Sequence, residues 1–87
     1  MKLGVYSLRK VLFDGDAKSV SCNTRLGEIT ILDHHEPLIS ILEKGVIKIT
    51  DVNKENHYIQ TRSGFLEIDA NNAAKILIEE DPAQLTK

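Results

Sequence analysis

The chain has 87 residues, 11 of them basic and 13 acidic, for a formal net charge of −2. That length fits one small domain, and the near-balance of charge excludes a global field that would draw the chain to nucleic acid or anionic lipid. No apolar run approaches the roughly 18 residues of a membrane span, Met1-Lys2 leads directly into a strand-like segment, and the single cysteine, Cys22, can form no internal disulfide. The expectation is a cytoplasmic chain in which Cys22 is a small core residue.

The dominant hydrophobic period is two. Ile47 and Ile49 alternate with Lys48 and Thr50, Ile76 and Ile78 with Lys75, Leu77 and Glu79, and Val20 and Cys22 with Ser19 and Ser21. In chain order this periodicity predicts strands over 3–8, 11–13, 17–24, 28–32, 38–42, 46–51, 57–62, 65–68 and 74–79. Turn signals separate most of them: Asp14-Gly15, Lys44-Gly45, Asn53 to Asn56 and Asp69 to Asn72. Short strands at this spacing, with no helical pattern of ten residues, predict an all-β fold, an antiparallel sandwich or flattened barrel of about eight to ten strands. Val20, Ile31, Ile49, Ile68 and Ile78 are the predicted interior, whereas Leu77 stands in an outward series where a partner could cover it. One domain is expected over 1–80, followed by a short tail over 81–87.

The most conspicuous chemistry is Asp33-His34-His35-Glu36, closed by Pro37. Imidazole and carboxylate suit zinc or nickel, yet neighbours in an extended segment point to opposite faces, and only His57 remains to help complete four ligands. A metal site is therefore not expected. Ser40 and Ser63 lie in no nucleophile-elbow pattern, neither a Walker sequence nor GxGxxG occurs, and the basic residues do not interleave with aromatics. These patterns supply no catalytic residue, cofactor site or nucleic-acid groove. Gly15, Gly27, Gly45 and Gly64 each border a predicted strand and are read as turn or bulge residues.

The order of the parts is the most specific feature. Gly27, Glu28 and Ile31 are followed by His35, Pro37 and Leu38, then by Lys44, Gly45, Val46, Lys48 and Ile49, and finally by Gly64, Phe65, Glu67 and Ile68. From Leu3 to about Glu79 this arrangement resembles the N-terminal β-sandwich domain of the epsilon subunit of the bacterial F-type ATP synthase. There the corresponding segments read approximately GE-aliphatic-GI-x-PGHAPLL, K-x-G-hydrophobic-hydrophobic-K/R-I and GGF-hydrophobic-E-hydrophobic. This chain departs from that pattern with Asp33-His34 in place of proline-glycine, Glu36 in place of alanine, Thr30 in place of a glycine and Ser63 in place of the first glycine of GGF.

The resemblance implies a non-catalytic subunit at the foot of the central stalk. It would be packed on the gamma subunit, rest on the cytoplasmic loops of the membrane c-ring, and couple proton-driven rotation to ATP synthesis. The alpha and beta subunits would be met only through the assembled complex. The implied location is peripheral, on the cytoplasmic face of the inner membrane, without insertion. Carried over residue by residue, Glu28 and His35 are the expected ring contacts, with Asp33, His34 and Glu36 as local variants. For His35 the structural alternative is a turn-stabilising bond to a local backbone group. The rival function is a free-standing β-sandwich module binding a small ligand or metal at the Asp33–Glu36 turn. Family members commonly carry two C-terminal helices that restrain ATP hydrolysis and in some bacteria bind ATP. The tail from Glu80 to Lys87 is too short for them, so neither that brake nor a nucleotide site is expected within this sequence.

Overall fold

A computed structural model describes residues 1–80; the tail expected over 81–87 lies outside the described residues. Seven strands follow one another: β1 (Lys2–Tyr6), β2 (Val11–Thr24), β3 (Gly27–Leu32), β4 (Leu38–Leu42), β5 (Gly45–Asp51), β6 (Asn56–Ile68) and β7 (Ala73–Glu80). All pairings are antiparallel except that of β1 with β7.

Two strands are longer than the turn signals suggested. Asp14-Gly15 does not break β2, where Gly15 stands opposite Leu3, and Gly64 does not end β6. The nine expected strands thus become seven, because β2 and β6 each pass from one layer to the other without a loop. The first half of β2 pairs with β1, and its second half with β5 and β3. The first half of β6 pairs with β5, and its second half lies between β4 and β7. One layer is therefore β4–β6–β7–β1–β2, and the other is β6–β5–β2–β3.

The corners need irregular backbone. Register shifts occur between Ala17 and Ser19 of β2 and between Thr61 and Ser63 of β6, as expected where a strand bends through a bulge. Thr61 is buried at the second corner, and its hydroxyl is directed at the carbonyl oxygens of Ser63 (2.8 Å) and Glu79 (3.2 Å). Gly64 follows it. A Cβ there would run into the Leu77 carbonyl oxygen and come within 3.0 Å of Ile78 Cα, so β6 crosses β7 closely only because no side chain intervenes.

The core fills the space between the layers. Leu3, Val5, Leu42, Leu66, Ile68, Ile76 and Ile78 come from the first layer, and Val20, Cys22, Ile31, Ile47, Ile49 and Ile59 from the second. All five predicted interior residues and Cys22 belong to it. Burial pushes the Cys22 thiol up to about 11, with the Glu28 charge adding to the rise.

Candidate functional site

β3 is an edge strand, paired among the described residues with β2 alone. Its two ends carry the residues singled out by the sequence. At its start, the two-residue turn Arg25-Leu26 joins Thr24 to Gly27. The Thr24 hydroxyl donates to the Gly27 carbonyl (2.9 Å) and accepts from the Leu26 amide (3.2 Å). Gly27 has φ +116°, a backbone state that L side chains rarely adopt. Glu28 leaves this turn opposite Asn23 and is exposed.

At the far end, the loop from Asp33 to Pro37 is tied down at its first residue. The Met1 ammonium is buried and donates to Ala17 O (2.9 Å) and to Asp33 Oδ1 (2.6 Å). Asn72, in the β6–β7 turn, donates to the same Oδ1 (2.8 Å) and accepts the His34 amide (2.7 Å). His34 and Asn72 both take positive φ values, 64° and 59°. The ammonium hydrogen bond, followed by that from Asn72, lowers the Asp33 carboxyl from 3.8 to about 2. Asp33 is therefore the anchor of the loop, with His34 Nε2 only a loose neighbour of its Oδ2 at 3.8 Å.

His35 is held differently. Its Nδ1 lies 2.7 Å from the Glu36 carbonyl oxygen. A carbonyl only accepts, so Nδ1 carries the hydrogen, and in the neutral ring Nε2 is then the acceptor. The turn-stabilising role weighed for His35 is thus present in the geometry, and it sets the ring so that an exposed acceptor remains. Glu36 is exposed beside it.

Asp33, His34, His35 and Glu36 therefore share one loop, whereas Glu28 sits at the opposite end of β3. At about 3.3 Å per residue the two ends are on the order of 20 Å apart. They bound one strand edge and do not form one cluster. Among the described residues no three His, Cys, Asp or Glu side chains converge as a metal site would require.

Two further groups escaped the sequence reading. Asn72 belongs to a turn signal in the sequence, yet it bridges Asp33 and the His34 amide across 39 and 38 positions of sequence, a pairing that no local pattern reports. Leu26, at the tip beside Glu28, is 99% exposed, and with Thr24, Arg25, Ser40 and Ile41 it lines an open depression. An apolar residue in a two-residue turn, where polar residues normally sit, was the available signal.

The molecule is thus a sandwich of seven strands, closed by two corner strands and carrying exposed turns at both ends of a free edge. Residues 1–80 match the family described as "ATP synthase, Delta/Epsilon chain, beta-sandwich domain". The chain belongs to that family. It is 33% identical over 70 residues to the ATP synthase epsilon chain of Clostridium perfringens, which covers 80% of this chain and 53% of that relative. It is 32% identical over 85 residues to the ATP synthase epsilon chain of Rhodococcus erythropolis, covering 97% and 70% respectively. The chain thus spans about half the length of the first of these relatives. The same fold occurs in the mitochondrial ATP synthase of Euglena gracilis, solved with OSCP, F1 and c-ring. The TM-score is 0.83 at 16% identity, covering 99% of this chain and 59% of that one. It recurs in the central stalk and c-ring assembly of Tetrahymena thermophila, with a TM-score of 0.76 at 18% identity, covering 93% of this chain and 63% of that one.

Proposed function

We propose that this chain is the stalk-foot subunit of a rotary ATP synthase, docking the gamma subunit onto the c-ring so that proton-driven rotation is transmitted to the catalytic head. In this reading it does no chemistry of its own, meets the alpha and beta subunits only through the assembled complex, and lies peripherally on the cytoplasmic face of the inner membrane. The observation that carries it is the family match over the whole of residues 1–80. Relatives of this fold are found in central-stalk and c-ring assemblies, which adds support.

The free edge of β3 is the proposed ring-facing element, with Glu28 at one end and Asp33, His34, His35 and Glu36 at the other. A carboxylate and an imidazole Nε2 acceptor can take hydrogen bonds from polar loops and fix register without a pocket. Each such exposed contact contributes at most about 1 kcal/mol, so the contact must be distributed along the edge. The test has two parts. The chain should co-purify with a cognate gamma subunit, and failure to do so under conditions where both are folded overturns the reading. Glu28→Lys should lower proton-driven ATP synthesis by reconstituted complexes while leaving the melting temperature of the isolated chain almost unchanged. Normal synthesis by the variant would remove Glu28 from the ring contact.

A further inference from the structure

The loop from Asp33 to Pro37 stands on the β6–β7 turn at both of its feet. At the far foot, Leu38 of β4 pairs with Ile68, the last residue of β6. At the near foot the Asn72 side chain is bound twice, donating to Asp33 Oδ1 (2.8 Å) and accepting the His34 amide (2.7 Å). Asn72 is itself held. Its carbonyl accepts the Lys2 amide (3.2 Å). The turn that carries it is closed by Asp69, whose carboxylate accepts the amides of Asn71 (2.8 Å) and Ala73 (3.1 Å) while its own amide donates to the Ala73 carbonyl (2.9 Å). Only His35, Glu36 and Pro37 span the gap between the two feet, and all three are exposed.

We propose that Asn72 is the positioning residue of this loop: by binding the Asp33 carboxylate and the His34 amide together it holds His34 in the left-handed conformation, and so fixes the direction in which His35 presents Nε2. The left-handed state at His34 (φ 64°) is uncommon for any residue other than glycine. It persists here because the His34 amide is bound. The position asks for a carboxamide, since one atom must donate to a carboxylate while the other accepts from a backbone N–H. A carboxylate there would set like charge against Asp33, and an alkyl group would leave both partners unbound. Asparagine also enters the left-handed region more readily than most residues, as Asn72 does itself (φ 59°). The Met1 ammonium holds Asp33 as well, but its other bond goes to Ala17 and not to His34. The ammonium therefore secures the foot of the loop, whereas Asn72 sets its turn. With residue 34 fixed and Leu38 paired in the sheet, the three residues between them are confined, and His35 Nδ1 meets the Glu36 carbonyl (2.7 Å). Load on the loop then passes into the β6–β7 turn at both feet. That this load comes from the c-ring rests on the reading above.

The experiment follows the ring nitrogens of His35 by NMR at about pH 8.5, where an ordinary imidazole is neutral, together with solvent exchange of the His34 amide and the melting temperature. It compares the full chain with Asn72→Ala, Asn72→Asp, and Asn72→Ala combined with His34→Gly. Wild type should carry the His35 hydrogen mainly on Nδ1. Asn72→Ala and Asn72→Asp should each give a mixture of tautomers and speed His34 exchange about tenfold or more, with only a small fall in melting temperature. Adding His34→Gly to Asn72→Ala should restore the Nδ1 hydrogen, because glycine takes the left-handed state unaided; a residue that merely stabilised the fold would not be rescued in this way. Unchanged tautomer and exchange in Asn72→Ala overturn the proposal. So does a wild-type ring with its hydrogen on Nε2, a result that needs no variant and decides the matter even if the substitutions fail to fold. Reconstituted complexes separate this role from the ring reading. Asn72→Ala and His35→Ala should lower proton-driven ATP synthesis to a similar extent, and the double variant no further. A loss with His35→Ala but none with Asn72→Ala overturns the positioning role. Normal synthesis by both, with the tautomer shifted in Asn72→Ala, upholds the positioning role and overturns the ring contact of His35.

Discussion

The two outer faces of the sandwich are built from strands of the same periodicity, yet their outward residues differ. On the β6–β5–β2–β3 layer the outward positions include the side-chain pairs Ser21 with Thr30 and Thr50 with Asn56, each at 2.9 Å, interspersed with the exposed Leu32, Val46 and Tyr58. On the β4–β6–β7–β1 layer they are Ile39, Ile41, Phe65 and Leu77, flanked by charges such as the Arg62–Glu79 pair at 3.5 Å. On the first face each of these exposed apolar or aromatic residues stands opposite a polar one, Leu32 opposite Ser19, Val46 opposite Gln60 and Tyr58 opposite Lys48. The second leaves a contiguous apolar row in water, and such a row on a small protein marks an interaction site more often than a stability device. The two sides of the same strands thus differ, most sharply in β6, where Leu66 is fully buried and its neighbour Phe65 is exposed.

That neighbour pair gives the largest expected effect. Leu66→Ala removes a fully buried side chain and should cost about 2–5 kcal/mol. Phe65→Ala should change stability by less than about 1 kcal/mol, because its side chain lies on the surface. Chemical denaturation of both variants checks this. Similar losses from the two would mean that Phe65 serves the fold and that the division between the faces is false.

The two glycines of the corner strands separate next. Gly64→Ala drives a Cβ into the backbone of β7 and should destabilise by about 1–3 kcal/mol, lowering the melting temperature by several degrees. Gly15→Ala meets only the Phe13 ring at 3.7 Å, an ordinary contact. It should be neutral, or stabilising by up to about 1 kcal/mol through a less flexible unfolded chain. Thermal melts of the pair distinguish a close backbone crossing from mere tolerance of glycine.

A smaller effect belongs to the loop anchor. The Asp33 carboxyl titrates near 2 in the folded chain against an ordinary 3.8, so the folded state favours its ionised form. The associated stability is complete above about pH 4 and is lost as the pH falls towards 2. In urea melts, the difference between wild type and Asp33→Asn should shrink across that window, and a constant difference would exclude the ammonium and Asn72 bonds as its source. The smallest effect is expected on the polar face. Ser21→Ala breaks one exposed hydroxyl pair and should cost no more than about 0.5–1 kcal/mol in a urea melt.

The sequence determined the class of fold and its interior. Alternation at Ile47, Ile49, Ile76 and Ile78 requires a strand with one face buried whatever the strand pairs with, so the core residues were legible before any topology was known. The motif order carried the family in the same way, and turn chemistry placed the bends at Asn53–Asn56 and Asp69–Asn72, where the Asp51 and Asp69 carboxylates each accept two backbone amides. Only the tertiary structure decided where β2 and β6 change layers, because Gly15 and Gly64 look locally like strand ends. Whether a glycine marks a turn or a close crossing depends on a strand far away in sequence. The same limit hid the link from Met1 through Asp33 to Asn72 and the row from Ile41 through Phe65 to Leu77. A period of two states that a residue points outward. Which outward residues become neighbours is set by register between strands, and register is fixed only when the whole sandwich closes.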